Sequence, residues 1–517
     1  MSSFALYAPT LHYAFVNWDD HVYVLENPWI RSLSLVHLQA IFGNEYLNNY
    51  LPLHLLSYLF DYLLWELDPF GYHLHSVLLN AANGVLAWAL IAQLTRRRDV
   101  ALVAALLFTV HQSHVEAVAW VSARKEILFT TFLLLSALAY QRARRDGQLH
   151  RWAFAGSIAL FGLGMLSKTT IAAYPLFFLV MDFVLDAQLP AERRRPLAFH
   201  LATKLPYLAI AAVLTGVNLH VQVTASDPLS AHPLTYTLVK GQAGWRYFWL
   251  LLGLLPGQPI YDPPPISLDA LVAALTVLPL VAPVLLLAIA LRRGQWNAAL
   301  ALCWLIAGLV PPLAFPLITY MADRYLYAPS LGFCWLIAIA IARIADGARS
   351  PAWRLTVLAV FTAVPALWYT QRAWAYMPVW RDSEALWTYA SANSRDGRAA
   401  TALARIYREQ GRLDEAARLL EKTEVPGPQG YLNLLGIYAI QGRLDAALRT
   451  SDLALDALAK DGADAKTASD IHAARGAVLM KLERRDEAIA EWQRALAIDP
   501  NNGTARELLE RERTGAS

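Results

Sequence analysis

Apolar side chains dominate the first three-quarters of the chain in runs close to 20 residues, enough to cross a bilayer as helices rising 1.5 Å per residue. These runs predict spans at about 71–94, 99–113, 126–141, 152–167, 170–186, 200–219, 267–291, 296–316, 327–345 and 353–372. Several contain Pro, which neighbouring helices can accommodate. The opening segment, Met1 to Val16, is apolar but short for a crossing and reads as a span lacking its start. Tyr236–Leu255 would upset the alternation of loop charges if it crossed, so it is expected to lie at the interface or re-enter. The pattern thus predicts about 11 spans.

After Met377 the pattern changes to apolar positions at helical spacing among many charges, with internal self-similarity. Gly411-Arg412-Leu413-Asp414 returns as Gly442-Arg443-Leu444-Asp445, and Tyr407 and Tyr438 each precede a small residue, Ala416 and Ala447, by the same interval. A third unit carries Gly476, Ala488, Trp492, Ala495 and Pro500, an insertion at Ala459–Lys466 lengthens the second, and Trp380–Ala392 reads as a leading helix. This is the tetratricopeptide pattern, whose stacked helix pairs form a concave surface for peptides. The expected fold is therefore all-α. A polytopic membrane helix bundle, residues 1–376, precedes a soluble tetratricopeptide-repeat α-solenoid, residues 377–517.

Composition sharpens this division. Of 517 residues, 56% are apolar and only 16% charged, against about 25% charged in ordinary soluble domains. About half of the charged residues follow Met377. A net charge of +3 without a basic stripe excludes nucleic acid as a partner. Two cysteines, each inside an apolar run, exclude a disulfide framework. Arg96–Arg98, Arg142/Arg144/Arg145, Arg193–Arg195, Arg292–Arg293 and Arg343/Arg349/Arg354 fall at alternate span ends and mark the cytoplasmic side. The outer loops are then 17–70, 111–125, 220–266 and 317–327, with the repeats also outside. Eight lysines against 36 arginines, with abundant Ala, suggest GC-rich bacterial coding and hence an inner membrane with periplasmic repeats.

Seven cations stand on the outer side against this trend: Arg31, Arg124, Lys125, Lys168, Lys240, Arg246 and Arg324. Ionisable groups at membrane depth are costly and are candidates for function. Ion pairs with Glu126 and Asp323 are one explanation, and holding an anion such as a lipid phosphate is the other. Asp19 and Asp20, adjacent carboxylates at a span end, suit a general base. His111, His114 and Glu116 carry donors suited to a divalent metal, although hydrogen bonding near a substrate is the stronger reading. The aromatic residues around Trp18 match both an interfacial belt and a carbohydrate-stacking surface.

Taken together, Phe15-Val16-Asn17-Trp18-Asp19-Asp20, Asp68-Pro69-Phe70-Gly71-Tyr72-His73-Leu74, His114-Val115-Glu116-Ala117-Val118-Ala119-Trp120-Val121-Ser122, Arg124-Lys125, Leu166-Ser167-Lys168 and Asp323-Arg324-Tyr325-Leu326-Tyr327-Ala328-Pro329-Ser330-Leu331-Gly332 resemble the transmembrane and tetratricopeptide-repeat O-mannosyltransferases and their bacterial relatives. Leu51 departs from the Arg usual there in the family. The resemblance implies a class C glycosyltransferase fold, a polyprenyl-phosphate sugar donor, an acceptor polypeptide docked by the repeats, and no required cofactor. It implies Asp19 as base with Asp20 beside it, and Arg124, Lys125, Lys168 and Arg324, with Lys240 and Arg246, around the donor phosphate. Trp18, His21, His114, Glu116, Trp120 and Tyr325 would line the substrate. Two other classes fit less of this. An oligosaccharyltransferase or ligase using a lipid pyrophosphate would favour the metal set, and a membrane scaffold without chemistry would leave the acidic pair idle.

Overall fold

A computed structural model describes residues 2–222, 233–263, 269–315, 319–395, 397–424, 426–461 and 465–514. Parts of the expected outer loops 220–266 and 317–327, the edges of the expected spans at 267 and 316, and part of the insertion Ala459–Lys466 lie outside the described residues. The chain is all-α and spans the membrane several times. It divides into two compact units, Met1–Asp382 and Ser383–Ser517.

The first unit opens with α1 (Ser2–Tyr7), then α2 (Leu35–Gly43) and α3 (Pro52–Trp65) in the long first loop. The bundle follows: α4 (Pro69–Thr95), α5 (Arg98–Thr109), the short α6 (Val115–Ala119), α7 (Arg124–Ala143), α8 (Arg151–Ser167), α9 (Pro175–Ala187), α10 (Leu197–Ala202) and α11 (Leu205–Gln222). It is completed by α12 (Pro233–Leu251), α13 (Ala270–Arg292), α14 (Trp296–Ala314), α15 (Tyr327–Asp346) and α16 (Pro351–Tyr376).

Among the described residues, seven helical stretches are long and apolar enough to cross a membrane, or eight if α5 and the turn 112–119, bent by 49°, form one broken span. The other expected spans fall on helices too. α7 is long enough but carries Arg124, Lys125, Glu126 and Arg142 in its end turns, and α8 has 17 residues. The first segment forms only α1 and a single turn, Ala8–His12, with Pro9 near its start. The doubtful Tyr236–Leu255 segment is helical as α12 and carries Lys240 and Arg246 along its length.

Exposure differs sharply among these helices. α13 leaves almost all its apolar surface uncovered, whereas α14 and α15 bury most of theirs. Small residues let α14 and α15 meet closely, as in membranes where packing replaces the hydrophobic drive. A Cβ on Gly332 would stand 2.5 Å from the Ala301 carbonyl oxygen.

The second unit is a helical repeat array. After α17 (Ser383–Asn393), the pairs α18 (Gly397–Glu409) with α19 (Leu413–Lys422), α20 (Gly427–Ile440) with α21 (Leu444–Asp461), and α22 (Ala465–Lys481) with α23 (Arg485–Ile498) stack, and α24 (Gly503–Thr514) closes the described part. The repeated Gly-Arg-Leu-Asp turns have a structural reason. Gly411 and Gly442 take φ of +77° and +74°, the left-handed geometry that ends helices without a Cβ penalty. The following guanidinium then lies on the preceding ring, Arg412 over Tyr407 at 3.9 Å and Arg443 over Tyr438 at 4.1 Å.

In the third repeat Gly476 faces the Trp492 indole, whose Nε1 would stand 2.5 Å from an added Cβ, with the Ala488 carbonyl oxygen 3.0 Å away on the other helix. Replacing Gly476 by Val should force α22 and α23 apart and cost about 1–3 kcal/mol, as overpacking does. Thermal unfolding of the full chain in detergent, followed by circular dichroism, checks this.

Candidate active site

The first loop reaches the bundle through Asp20. Its carboxylate accepts hydrogen bonds from the Val16 amide at 3.0 Å, the Ser122 amide at 2.9 Å and the Ser122 hydroxyl. Burial pushes this carboxyl up to about 6, and the three donors restrain the rise. Asp20 therefore clips the first loop to the segment around Ser122, and its lone pairs are spent on the protein. This departs from the expectation of a paired catalytic role. Its neighbour Asp19 is half-buried and is held in place by the clip. No hydrogen bond or close ion pair engages the Asp19 carboxylate among the described residues.

Residues 120–126 turn from one short helix into α7, and successive side chains there point in different directions. Arg124 turns inward. Its guanidinium is ion-paired with Asp61 and donates to the Tyr72 carbonyl at 2.6 Å and the Ser76 hydroxyl at 3.2 Å, and the residue is fully buried. It is not available for a phosphate, which corrects its assignment to that set. Lys125 turns toward Asp19 instead, with its ammonium 5.3 Å from the centre of the Tyr23 ring. It makes no hydrogen bond or ion pair among the described residues. Burial lowers Lys125 to about 8. Asp19 and Glu126 hold its charge up, while Lys168 and Arg324 push it down.

Two ion pairs complete the cluster. Lys168 binds Glu126 and lies 4.6 Å from the Tyr325 ring centre. Arg324 binds Glu116, its own amide donates to the other Glu116 oxygen at 2.8 Å, and its guanidinium lies 5.2 Å over Trp120. Three cations thus face three carboxylates, Asp19, Glu116 and Glu126. Trp18, Trp120 and Trp380 stack beside them, with ring centres 5.2 to 6.4 Å apart. Between Lys168, Glu126 and Tyr325 the cavity is only about 10 Å³, room for about one water.

Several expected residues lie elsewhere. Lys240 is buried and donates to the Pro312 and Tyr320 carbonyls at 3.0 and 3.4 Å, and Arg246 donates to the Asp262 carbonyl at 3.1 Å. Both cations serve backbone oxygens rather than this cluster. His21 is exposed and faces Glu26 at 3.0 Å. Both His111 nitrogens are engaged, by Ser113 at 2.8 Å and the Leu251 carbonyl at 3.0 Å. His114 meets the Ser330 hydroxyl at 2.8 Å, and Glu116 is taken by Arg324. Those three do not converge, and among the described residues no group of three or more such side chains is placed to hold a metal.

Asp323, expected to pair with a cation, instead accepts from the Tyr261 hydroxyl at 2.5 Å and the Gln258 amide at 3.1 Å. The sequence reading also missed Asp61, Ser122 and Trp380. Ser122 and Arg124 lie in one run with the singled-out His114, Glu116 and Trp120, but nothing local points from them to Asp61 or Trp380.

The profile of the dolichyl-phosphate-mannose-protein mannosyltransferases matches residues 68–221, and a tetratricopeptide-repeat profile matches 469–502. Both matches bear out the resemblance to the transmembrane and tetratricopeptide-repeat O-mannosyl-transferases. Protein O-mannosyl-transferase TMTC3 of Mus musculus is 24% identical over 386 residues, 65% of this chain and 40% of that protein. Tmtc3 of Drosophila melanogaster is 28% identical over 371 residues, 56% of this chain and 39% of its own length. TMTC1 of Mus musculus reaches 32% over 152 residues, 27% of this chain and 16% of its own length. The chain thus spans about 40% of the length of the first of these relatives. No solved structure matches it. Of the clustered groups, Glu116, Lys125, Glu126 and Lys168 lie inside the mannosyltransferase match, and Asp19 and Arg324 lie outside it.

Adjacent cations should separate cleanly in experiment. Replacing Arg124 by Gln removes the guanidinium from buried Asp61, leaves it only the His75 imidazole as a side-chain partner, and should cost about 3–5 kcal/mol. Replacing Lys125 by Gln, which breaks no hydrogen bond, should leave the unfolding temperature in detergent near that of the parent.

Proposed function

We propose that this chain is an integral-membrane glycosyltransferase that moves a sugar, mannose or another hexose, from a polyprenyl-phosphate donor to Ser or Thr hydroxyls of exported proteins. One observation carries the reading. Among the described residues of the cluster, Lys168, Glu126, Arg324 and Glu116 are paired, while the Asp19 carboxylate and the Lys125 ammonium remain uncommitted and feel each other's charge. An uncommitted acid beside an uncommitted cation suits a reaction that removes a proton and develops negative charge on a leaving phosphate.

In this reading the polyprenyl chain lies in the outer leaflet and its phosphate meets Lys125, with Lys168 and Arg324 released in part from Glu126 and Glu116. The acceptor hydroxyl attacks the anomeric carbon, Asp19 takes its proton, and the bond to the phosphate oxygen breaks with its electron pair leaving on the phosphate. Fixed cations stabilise that developing charge, so the reading calls for no cofactor. Attack opposite the leaving group inverts the anomeric centre. The repeat unit recruits the acceptor polypeptide, and the setting is a bacterial inner membrane with periplasmic repeats. The printed names of the relatives, protein O-mannosyl-transferases, support the reaction class.

Asp19→Asn should abolish transfer of radiolabelled sugar from polyprenyl phosphate while the protein still binds donor. Full activity in that variant would remove Asp19 as base. The pH dependence tests Lys125. Its ammonium loses its proton through about pH 8, so donor KM should be lowest below that pH and rise above it. Lys125→Arg, which stays charged, should move that rise beyond pH 10.

A further inference from the structure

The far end of the bundle carries a second cluster of charge with a different design. α7 starts at Arg124 and ends at Ala143, and its 20 residues at 1.5 Å each place Arg144 roughly 30 Å from the Asp19 cluster. There Arg144 binds Asp182 and Asp186, Lys204 binds Asp182, and His200 meets Asp186 at 2.9 Å, all of them buried. This network joins α7, α9 and the start of α11. Its effect is to hold two loops, 144–150 and 188–196, against each other. The Asp186 carboxylate accepts from the Arg195 amide at 2.8 Å, and Arg195 Nε donates to the Gly147 carbonyl at 2.9 Å.

Those loops and the helix ends beside them present Arg142, Arg145, Arg151, Arg193, Arg194 and Arg195 on the surface, against two exposed carboxylates, Asp146 and Glu192. Asp146 is itself paired with Arg145 at 3.6 Å. The guanidinium groups of Arg142, Arg151 and Arg193 have no hydrogen bond or ion pair among the described residues, and that of Arg151 lies 6.0 Å from the Trp152 ring centre. An apolar fringe runs beside them: Trp152 is 82% exposed, Leu197 55% and Leu201 49%. Trp152 and Leu197 stand in the first turns of α8 and α10, and Leu201 in the last turn of α10.

We propose that this two-loop surface is a preformed binding site for the headgroups of anionic phospholipids. Charge complementarity selects the phosphate-bearing, net-negative headgroup, since zwitterionic lipid offers no net attraction. The fringe of Trp152, Leu197 and Leu201 fits the headgroup–acyl boundary, where Trp and aliphatic side chains are favoured. The buried Arg144–Asp186 network gives the site fixed geometry, unlike a mobile polybasic tail. The inference is independent of the transfer reaction proposed above.

The test is native mass spectrometry of the full-length protein in neutral detergent with equimolar phosphatidylglycerol and phosphatidylcholine. The parent should retain phosphatidylglycerol about tenfold in preference, consistent with roughly a fivefold gain per nearby arginine shared over partly screened charges. The variant Arg142→Gln/Arg151→Gln/Arg193→Gln, which removes three of the six exposed arginines, should lose most of that preference while keeping the parent's elution and unfolding temperature. Arg405→Gln/Arg449→Gln in the repeat unit should keep the preference. Retention of the full preference in the triple variant, or equal binding of both lipids by the parent, overturns the proposal. A parent that ignores phosphatidylglycerol but binds polyglutamate would assign the surface to an acidic protein and equally refute it.

Discussion

A charge taken out of water inside this bundle has to be matched, and that requirement organises the unit from end to end. Transferring an ionised group into a low-dielectric interior costs several kcal/mol unless a partner and hydrogen bonds compensate. Arg124 answers Asp61, Lys168 answers Glu126, Arg324 answers Glu116, and Arg144 and Lys204 answer Asp182. Each pair joins segments far apart in sequence, so the pairs act as cross-links between helices that lipid alone would let slide. Against this background an unmatched group stands out as a group kept for something else.

The same accounting separates neighbours that look alike in sequence. Asp19 and Asp20 are adjacent, as are Arg124 and Lys125. In each pair one side chain is consumed by the scaffold and the other is left facing the cluster. Asp20 satisfies amides and a hydroxyl, and Arg124 satisfies a carboxylate and a carbonyl. The scaffold member fixes the backbone from which the other projects, so the division of labour is geometrical.

This also marks where the sequence was legible. A 20-residue apolar run declares itself without any knowledge of neighbours, and so does a repeated Gly-Arg-Leu-Asp turn, because both are local. Helices appear at all the predicted spans within the described residues, although two are shorter or more charged at their ends than a free-standing span would be. Which of two adjacent charges points inward is a different kind of information. It depends on Asp61, 63 positions from Arg124, and on Ser122, 102 positions from Asp20, and no window on the chain contains both members. One signal was readable and passed over. Asp182 and Asp186 sit four residues apart within an otherwise apolar run, on one face of a helix, and their presence there announces buried partners.

The separation of Asp20 from Ser122, and of Glu116 from Arg324 by 208 positions, has a consequence for biogenesis. While the polypeptide is still emerging from the ribosome, Asp20 has nothing to fasten to until the segment carrying Ser122 has been made. The arginine of the late pair arrives only with α15. The Glu116–Arg324 ion pair therefore closes only when nearly all of the first unit has been made, whereas the Asp20–Ser122 clip and the neighbouring Lys125 are complete about 200 residues earlier.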